Sequence, residues 1–402
     1  MADADPTPRP ETLALHAGDG PRELGAAATP GPTLATSFFT HPDAVGFSAA
    51  DLGEAAPHFY TRWSNPTVDR LEARLAALDG GAAAVAFGSG MAAITGLFAD
   101  RLAHGDHLVV SDVCYAGVAE FCHDELPRRG VAVTAVDTSD LAAVAAAMRP
   151  TTRLVHVETP ANPTLRLADV AGIAKIAHAG GAELSVDATI ATPLGLRPLG
   201  LGADYVVHSL TKYLCGHGDA LGGAVIGGAD ALAGLRRGQL IHGGGVLAPF
   251  SAYMILRGME TLPLRMLQHE ANAAALAAFL AGHPKVARVL WPGSPDHPQH
   301  GLARRQMTNC SGLLSFVVKD DAAATARRLA ERLKVISYAV SLGKTKSLLF
   351  FIPTEDILRA SFRLDAAAAA RYRAVAGEGV FRFSVGLENP ADLVADLEQA
   401  LG

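Results

Sequence analysis

The chain has 402 residues, half of them apolar and 18% charged, with a formal net charge of -6. That is enough to bury a large core, too apolar for disorder, and too acidic to suggest nucleic acid as a partner. No stretch approaches an uninterrupted membrane span, and the acidic opening Met1-Ala2-Asp3-Ala4-Asp5-Pro6 lacks the apolar core of a secretory signal. The cysteines, at 114, 122, 215 and 310, form no C-x-x-C pair. The expectation is a cytoplasmic enzyme with no membrane partner, in which Cys114 and Cys215 serve as small buried hydrophobes.

Residues 1–60 are rich in Pro, Gly, Ala and Thr with little periodicity, which predicts an extended arm of the kind that contacts a neighbouring subunit. A helical pattern then covers Val68–Leu78, followed by a short apolar strand, Ala82–Phe87. Strands are predicted at Asp106–Ser111, Val131–Val136, Arg153–Glu158, Glu183–Asp187, Tyr205–His208 and Leu221–Ile226, with helices at Val118–Leu126, Leu141–Met148 and Asp169–Ala179 between them. Such alternation predicts an α/β fold with a mainly parallel sheet, helices on both faces, and ligands beyond the strands' carboxyl ends. After a helix over Ala229–Arg237 and the run Gly243-Gly244-Gly245, one long helical stretch from about Pro249 to Leu280 leads into a smaller C-terminal α/β domain. There strand Leu313–Val318, helix Ala322–Leu333, strands near Leu348–Phe351 and Val380–Val385, and helix Pro390–Leu401 are expected. The run Ala366–Ala370 needs only high helix propensity. The organisation expected is an arm at 1–60, a central domain at 61–255 and a C-terminal domain at 256–402.

Lys212 lies in Ser209-Leu210-Thr211-Lys212-Tyr213, just past a strand end, and Asp187 closes another strand earlier in the chain. A lysine so placed, with a hydroxyl on each side, suits an aldehyde cofactor that carries a phosphate. The amine forms the Schiff base, Ser209 and Thr211 bind the phosphate, and Asp187 pairs with a protonated ring nitrogen. Those are the requirements of pyridoxal phosphate (PLP). A carboxylate at the end of an apolar strand is costly unless paired, and the ring nitrogen would pair it. Of the other lysines, Lys175 falls on a helical pattern and Lys285 follows His-Pro, as surface amines do.

Gly88-Ser89-Gly90-Met91 lies between a strand and a helix start, where backbone amides make an anion site; close strand–helix packing would also select these glycines. Tyr115 follows a strand and offers a ring to stack on a planar cofactor. In Glu158-Thr159-Pro160-Ala161-Asn162-Pro163 two prolines fix a turn that aims Asn162 at the same edge, toward the cofactor's phenolate oxygen; an Asx-turn is the alternative role. Arg382 stands in the alternating strand Phe381-Arg382-Phe383-Ser384 and suits a bidentate grip on a substrate carboxylate, or else faces solvent. His208, His217 and His242 show no metal-ligand spacing and are assigned only local hydrogen bonds; no metal is expected.

Together these segments resemble the cysteine/methionine-metabolism family of PLP enzymes, which includes cystathionine γ-synthases and lyases, methionine γ-lyases and O-acetylhomoserine sulfhydrylases. The resemblance runs through Thr12–Gly18, Tyr60-Thr61-Arg62-Trp63-Ser64-Asn65-Pro66-Thr67, Ser89-Gly90-Met91, Glu158–Pro163, Val186-Asp187-Ala188-Thr189, His208–Tyr213, Arg257–Leu262, Ser341-Leu342-Gly343 and Arg382–Glu388, in the family's order. It implies a fold-type-I PLP-dependent transferase architecture, with a mainly parallel seven-stranded sheet and a smaller C-terminal α/β domain. A homotetramer built as a dimer of dimers is implied as well, with Tyr60 and Arg62 reaching the neighbouring subunit's phosphate. Gly90, Met91, Ser209 and Thr211 would complete the phosphate cup, Tyr115 would stack on the ring, and Ser341 with Arg382 would hold the carboxylate of an amino-acid substrate.

Lys212 would then remove the α-proton and shuttle one from Cβ, and Tyr115 would handle the proton on the amine or leaving group, its phenol acidified by Arg62. Within the family, Val340 before Ser-Leu-Gly is closer to methionine γ-lyases than to cystathionine enzymes, which commonly carry Glu there. Gly117 and Ile241-His242 depart from the Cys and Lys-Asp of methionine γ-lyases, and Lys346 has a sulfhydrylase-like character. The expected activity is a γ-lyase acting on an L-homoserine- or methionine-type amino acid, with a C–O substrate such as canavanine as one form. The alternatives are a γ-replacement transferase (cystathionine γ-synthase or O-acylhomoserine sulfhydrylase) and, more distantly, a non-catalytic PLP-binding protein. Specificity is expected to reside in residues 341–353 and 240–245.

Overall fold

The computed structural model describes residues 8–20, 23–25, 27–41, 48 and 58–402. Helix α1 (Pro10–His16) falls in the region where little periodicity is evident, and it is held by its C-terminal neighbour rather than by its own seven residues. Arg74, buried on the next helix, donates to Ala17 O at 2.9 Å and pairs with Asp19 at 3.1 Å. The rest of the segment expected as an arm lies partly outside the described residues.

Helix α2 (Pro66–Asp79) begins where Asn65 accepts from Thr67 N and Pro66 presets the first turn, and ends at Gly80 with φ 76°. The elements that follow are β1 (Ala83–Phe87), α3 (Gly90–Arg101), β2 (His107–Ser111), α4 (Ala116–Asp124), β3 (Ala132–Val136), α5 (Leu141–Ala147), β4 (Thr152–Glu158), α6 (Val170–Ala179), β5 (Glu183–Asp187), β6 (Tyr205–His208) and β7 (Gly223–Gly227). The strands form one seven-stranded sheet in the order β1-β7-β6-β5-β4-β2-β3. Four pairings are parallel, and β7 runs antiparallel to β1 and β6. The inner strands are buried on both faces, which is why they read as unbroken apolar runs. Two apolar clusters sandwich the sheet, one around Leu184, Val186 and Val206, the other around Leu154, Tyr205 and Val207.

Strand β7 starts two residues later than expected, because Leu221 is exposed and Gly222 is tied to Thr211. The helix expected over Ala229–Arg237 ends at Leu235 and continues as a wider π-type helix, Arg236–His242. The expected single helix from Pro249 is two, Pro249–Met259 and Leu262–Gly282. Pro263 cannot donate within a continuous helix, and Arg265, buried at the break, satisfies Gly258 O at 2.7 Å and Tyr213 O at 2.7 Å.

The second sheet has five strands in the order β10-β11-β12-β9-β8: β8 (Val286–Leu290), β9 (Leu313–Val318), β10 (Ser337–Tyr338), β11 (Leu348–Pro353) and β12 (Gly379–Ser384). The helices Ala322–Arg332 and Pro390–Leu401 pack on it around Phe316, Phe381 and Phe383. Strands β8 and β10 are additions to the elements legible in the sequence.

Candidate active site

The carboxyl ends of five strands of the first sheet, β1, β2, β4, β5 and β6, lead to one cavity of about 220 Å³. Its lining brings together Ser89, Gly90 and Met91, Tyr115, Glu158, Asn162, Asp187, Ser209, Thr211 and Lys212, from five separate segments. No two of those segments are adjacent in the chain, and the parallel topology is what places them side by side.

At one end of the cavity α3 begins. Ser89 caps it, its side chain accepting from Ala92 N at 3.1 Å, so the first amides of the helix face the cavity with a partial positive charge. Two glycines make this approach possible. A Cβ on Gly90 would lie 2.9 Å from Ser209 Cβ, and one on Gly223 would lie 2.1 Å from Ser89 O. Thr211 Oγ1 exchanges hydrogen bonds with Gly222, donating to its oxygen at 3.2 Å and accepting from its nitrogen at 3.1 Å.

At the other end, Glu158 and Asp187 are register partners on β4 and β5, both buried. Burial raises both carboxyls, and for Glu158 burial first, then the neighbouring Asp187, pushes it up to about 8. Glu158 uses its two oxygens on backbone amides, Tyr115 N at 2.5 Å and Asn162 N at 2.8 Å. It therefore sets the loops that carry the tyrosine and the asparagine. Asp187 accepts from Thr189 N at 2.9 Å. Thr189 also lines the cavity and accepts from Ser209 N at 2.7 Å, tying the acid's strand to the lysine's loop. The sequence reading missed this residue, and its signal was the Asx-turn spacing, two positions after an aspartate.

Lys212 stands between these ends. Burial, then the nearby Arg382 and Lys344, hold its amine below the ordinary lysine value, and it donates to Ser341 Oγ at 3.4 Å. Arg382, on β12, is largely buried. It donates to Ser341 O at 3.0 Å and to Asn162 Oδ1 at 3.4 Å, so it faces the site rather than solvent. The Tyr115 ring lies over Gly117, where a Cβ would come within 2.9 Å of Tyr115 Cε1.

Tyr60 and Arg62 do not reach this cavity in their own chain. Tyr60 is partly exposed, Arg62 lies 5.5 Å from its ring centroid, and Arg62 donates to Ile241 O at 2.7 Å. Val340 is 63% exposed and lies outside the lining. His208 makes a fully buried pair with Asp79, Nε2 to Oδ2 at 3.0 Å. Cys114 and Cys215 are buried and free.

The crystal structure of cystathionine gamma-lyase from Lactobacillus plantarum complexed with L-serine superposes on this chain with a TM-score of 0.86 at 35% identity, covering 98% of each chain. The architecture is thus that of the fold-type-I PLP-dependent enzymes. A family model described as Cys/Met metabolism PLP-dependent enzyme matches residues 11–402, and the chain belongs to that family. It is 43% identical to L-methionine gamma-lyase of Pseudomonas putida, over 97% of this chain and 96% of that one. It is 41% identical to canavanine gamma-lyase of Pseudomonas canavaninivorans (97% and 95%) and to cystathionine gamma-synthase of Mycobacterium tuberculosis (98% and 97%).

Proposed function

We propose that this enzyme holds pyridoxal phosphate on Lys212 and eliminates the γ-substituent of an L-homoserine- or methionine-type amino acid, with water converting the remainder to 2-oxobutanoate and ammonia. The observation that carries the reading is the Lys212 amine, depressed by burial, in the cavity that also holds the buried Asp187. Two buried carboxyls at one end of that cavity fit a cationic ring nitrogen, and a capped helix start with flanking hydroxyls fits a phosphate at the other.

Pyridoxal phosphate, when bound, supplies an aldehyde that captures the amino acid's nitrogen and a ring that accepts the electron pair left on its α-carbon. The chain's own residues do the rest. Arg382 and Ser341 hold the substrate carboxylate, and Asn162 and Asp187 orient the ring. Lys212 would take the α-proton, give it up, and, neutral again, take one from Cβ, after which the γ-substituent can leave. Tyr115 manages the proton on the amine or on the departing group. Tyr60 and Arg62 act in a neighbouring subunit's site. Their position outside their own cavity supports this, and the tetramer of two close dimers is the assembly the family resemblance implies.

Methionine, canavanine and O-acylhomoserines, each incubated with and without a thiol and scored for 2-oxobutanoate and thioether, test the reading. A lyase makes the oxo acid without added thiol; a γ-replacement transferase makes thioether and little oxo acid. Lys212→Ala should abolish both turnover and the visible absorbance of the cofactor, and retained activity would refute the assignment.

A further inference from the structure

Tyr213 follows Lys212 directly, and its side chain is fully buried. Its ring packs edge-on against His269 at 5.1 Å, and its carbonyl accepts from Arg265 at 2.7 Å, so the residue is fixed at both ends. Gly343 lies against its backbone, where a Cβ would come within 2.7 Å of Tyr213 N. The phenol stands among Ser384, Ser311 and the Gly312 amide, which are groups of the second sheet and its approach. Ser384 and Arg382 are two residues apart on β12 and therefore share one face of the strand. Two atoms of this region, Tyr213 Oη and Arg382 Nε, are buried without a well-formed hydrogen bond among the described residues. Burial lowers the Arg382 guanidinium, and Tyr213 is the first of the groups that offset it. A buried hydroxyl left in that state lowers stability, so packing alone favours phenylalanine here.

We propose that Tyr213 is a positioning residue for Arg382: its phenol oxygen accepts from Nε when a carboxylate draws the outer nitrogens of the guanidinium into the cavity. The proposal rests on the reading of Arg382 as the group that holds the substrate carboxylate. In the structure those outer nitrogens are engaged by Ser341 O at 3.0 Å and Asn162 Oδ1 at 3.4 Å. A carboxylate competes for them, and a contact at Nε holds the planar fork in place while they change partners. Tyr213 does not line the cavity, so it acts through Arg382 and not on the reacting atoms. The same hydroxyl that costs stability thus serves binding.

The test titrates holoenzyme with L-norleucine, which has no γ-group able to leave, and with n-pentylamine, the same chain without its carboxylate. Binding is followed through the cofactor's absorbance in wild type, Tyr213→Phe, Arg382→Met and the double variant. Tyr213→Phe should weaken norleucine by about tenfold, the effect of losing one hydrogen bond to a charged group, and leave pentylamine unchanged. In the Arg382→Met background the same change should cost nothing, a coupling that the double-mutant cycle reads. Thermal unfolding of the cofactor-free protein should find Tyr213→Phe at least as stable as wild type. Unchanged norleucine affinity, an equal loss for both ligands, or additive effects in the cycle overturns the proposal. A lower melting temperature also overturns it, making Tyr213 a strut of the fold. If Arg382→Met binds norleucine as wild type does, the carboxylate reading of Arg382 fails, and this proposal with it.

Discussion

The Lys212 amine and the Ser341 hydroxyl meet at 3.4 Å although 129 positions separate them. Lys212 leaves the carboxyl end of β6 in the first sheet, whereas Ser341 lies between β10 and β11 of the second. Ser341 is held in the left-handed region, φ 85°, a conformation that costs a non-glycine residue about 1 kcal/mol or more. Its loop is fastened from below, by Arg382 on its carbonyl and by Ser384, which accepts from Gly343 N at 2.9 Å. The residues proposed to hold the substrate carboxylate therefore come from the second sheet and those proposed to hold the cofactor from the first. Changes at the two ends should separate in kinetics.

At the end proposed to hold the cofactor, Asp187→Asn removes the charge assigned to the ring nitrogen while keeping an acceptor for Thr189 N. Turnover should fall by roughly two to four orders of magnitude, the range for losing a positioned catalytic charge, mostly in kcat. Steady-state kinetics at saturating cofactor check this, and a variant with unchanged kcat would remove Asp187 from its assigned role.

At the substrate end, Arg382→Lys should raise KM with a smaller change in kcat, because an ammonium cannot span Ser341 O, Asn162 Oδ1 and a carboxylate together. The expected loss in kcat/KM is about 10- to 100-fold. Amines that lack the carboxylate should bind wild type and variant alike, which a competition assay measures.

Gly223→Ala tests the approach of β7 to the start of α3. The added methyl would have to displace Ser89 O, which is backbone and cannot turn aside. A stability loss of about 1–3 kcal/mol is expected, as for other overpacked interiors. Cofactor affinity should fall as the helix start shifts. Thermal unfolding and cofactor titration read the two effects separately.

Glu158 gives the protein without cofactor a specific pH signature. Its folded-state value is raised, to about 8, so the folded protein holds the proton more tightly than the unfolded chain, whose value is 4.5. The contribution is fully present below the unfolded value and is lost as pH rises toward 8. Glu158→Gln cannot titrate, and it loses one of the two acceptor oxygens that hold Tyr115 and Asn162. The variant should be less stable than wild type at acid pH, with the gap narrowing as pH rises through that window. Melting temperatures across pH check the sign, and a constant gap would show that Glu158 does not titrate there.

Much of the fold was legible because it is written in local physics. Alternating apolar runs and helical stripes located β1–β6 to within a residue or so, and Asn65, Ser89 and Asp169 each stand where a helix needs a cap. The break between Met259 and Leu262 was also written locally, in Pro263, but the strong helical pattern on either side masked it.

By itself the sequence determined which chemistry the chain can carry: a lysine between hydroxyls, an acid at a strand end, glycines before a helix. Tertiary structure alone decided that Glu158 and Asp187 share a register, that Thr189 ties the acid's strand to the lysine's loop, and that Ser341 of the second sheet meets the Lys212 amine. The reason is physical. Propensity and capping depend on neighbours a few positions away, whereas register, burial and the charge felt by an amine depend on groups brought close only when two sheets pack.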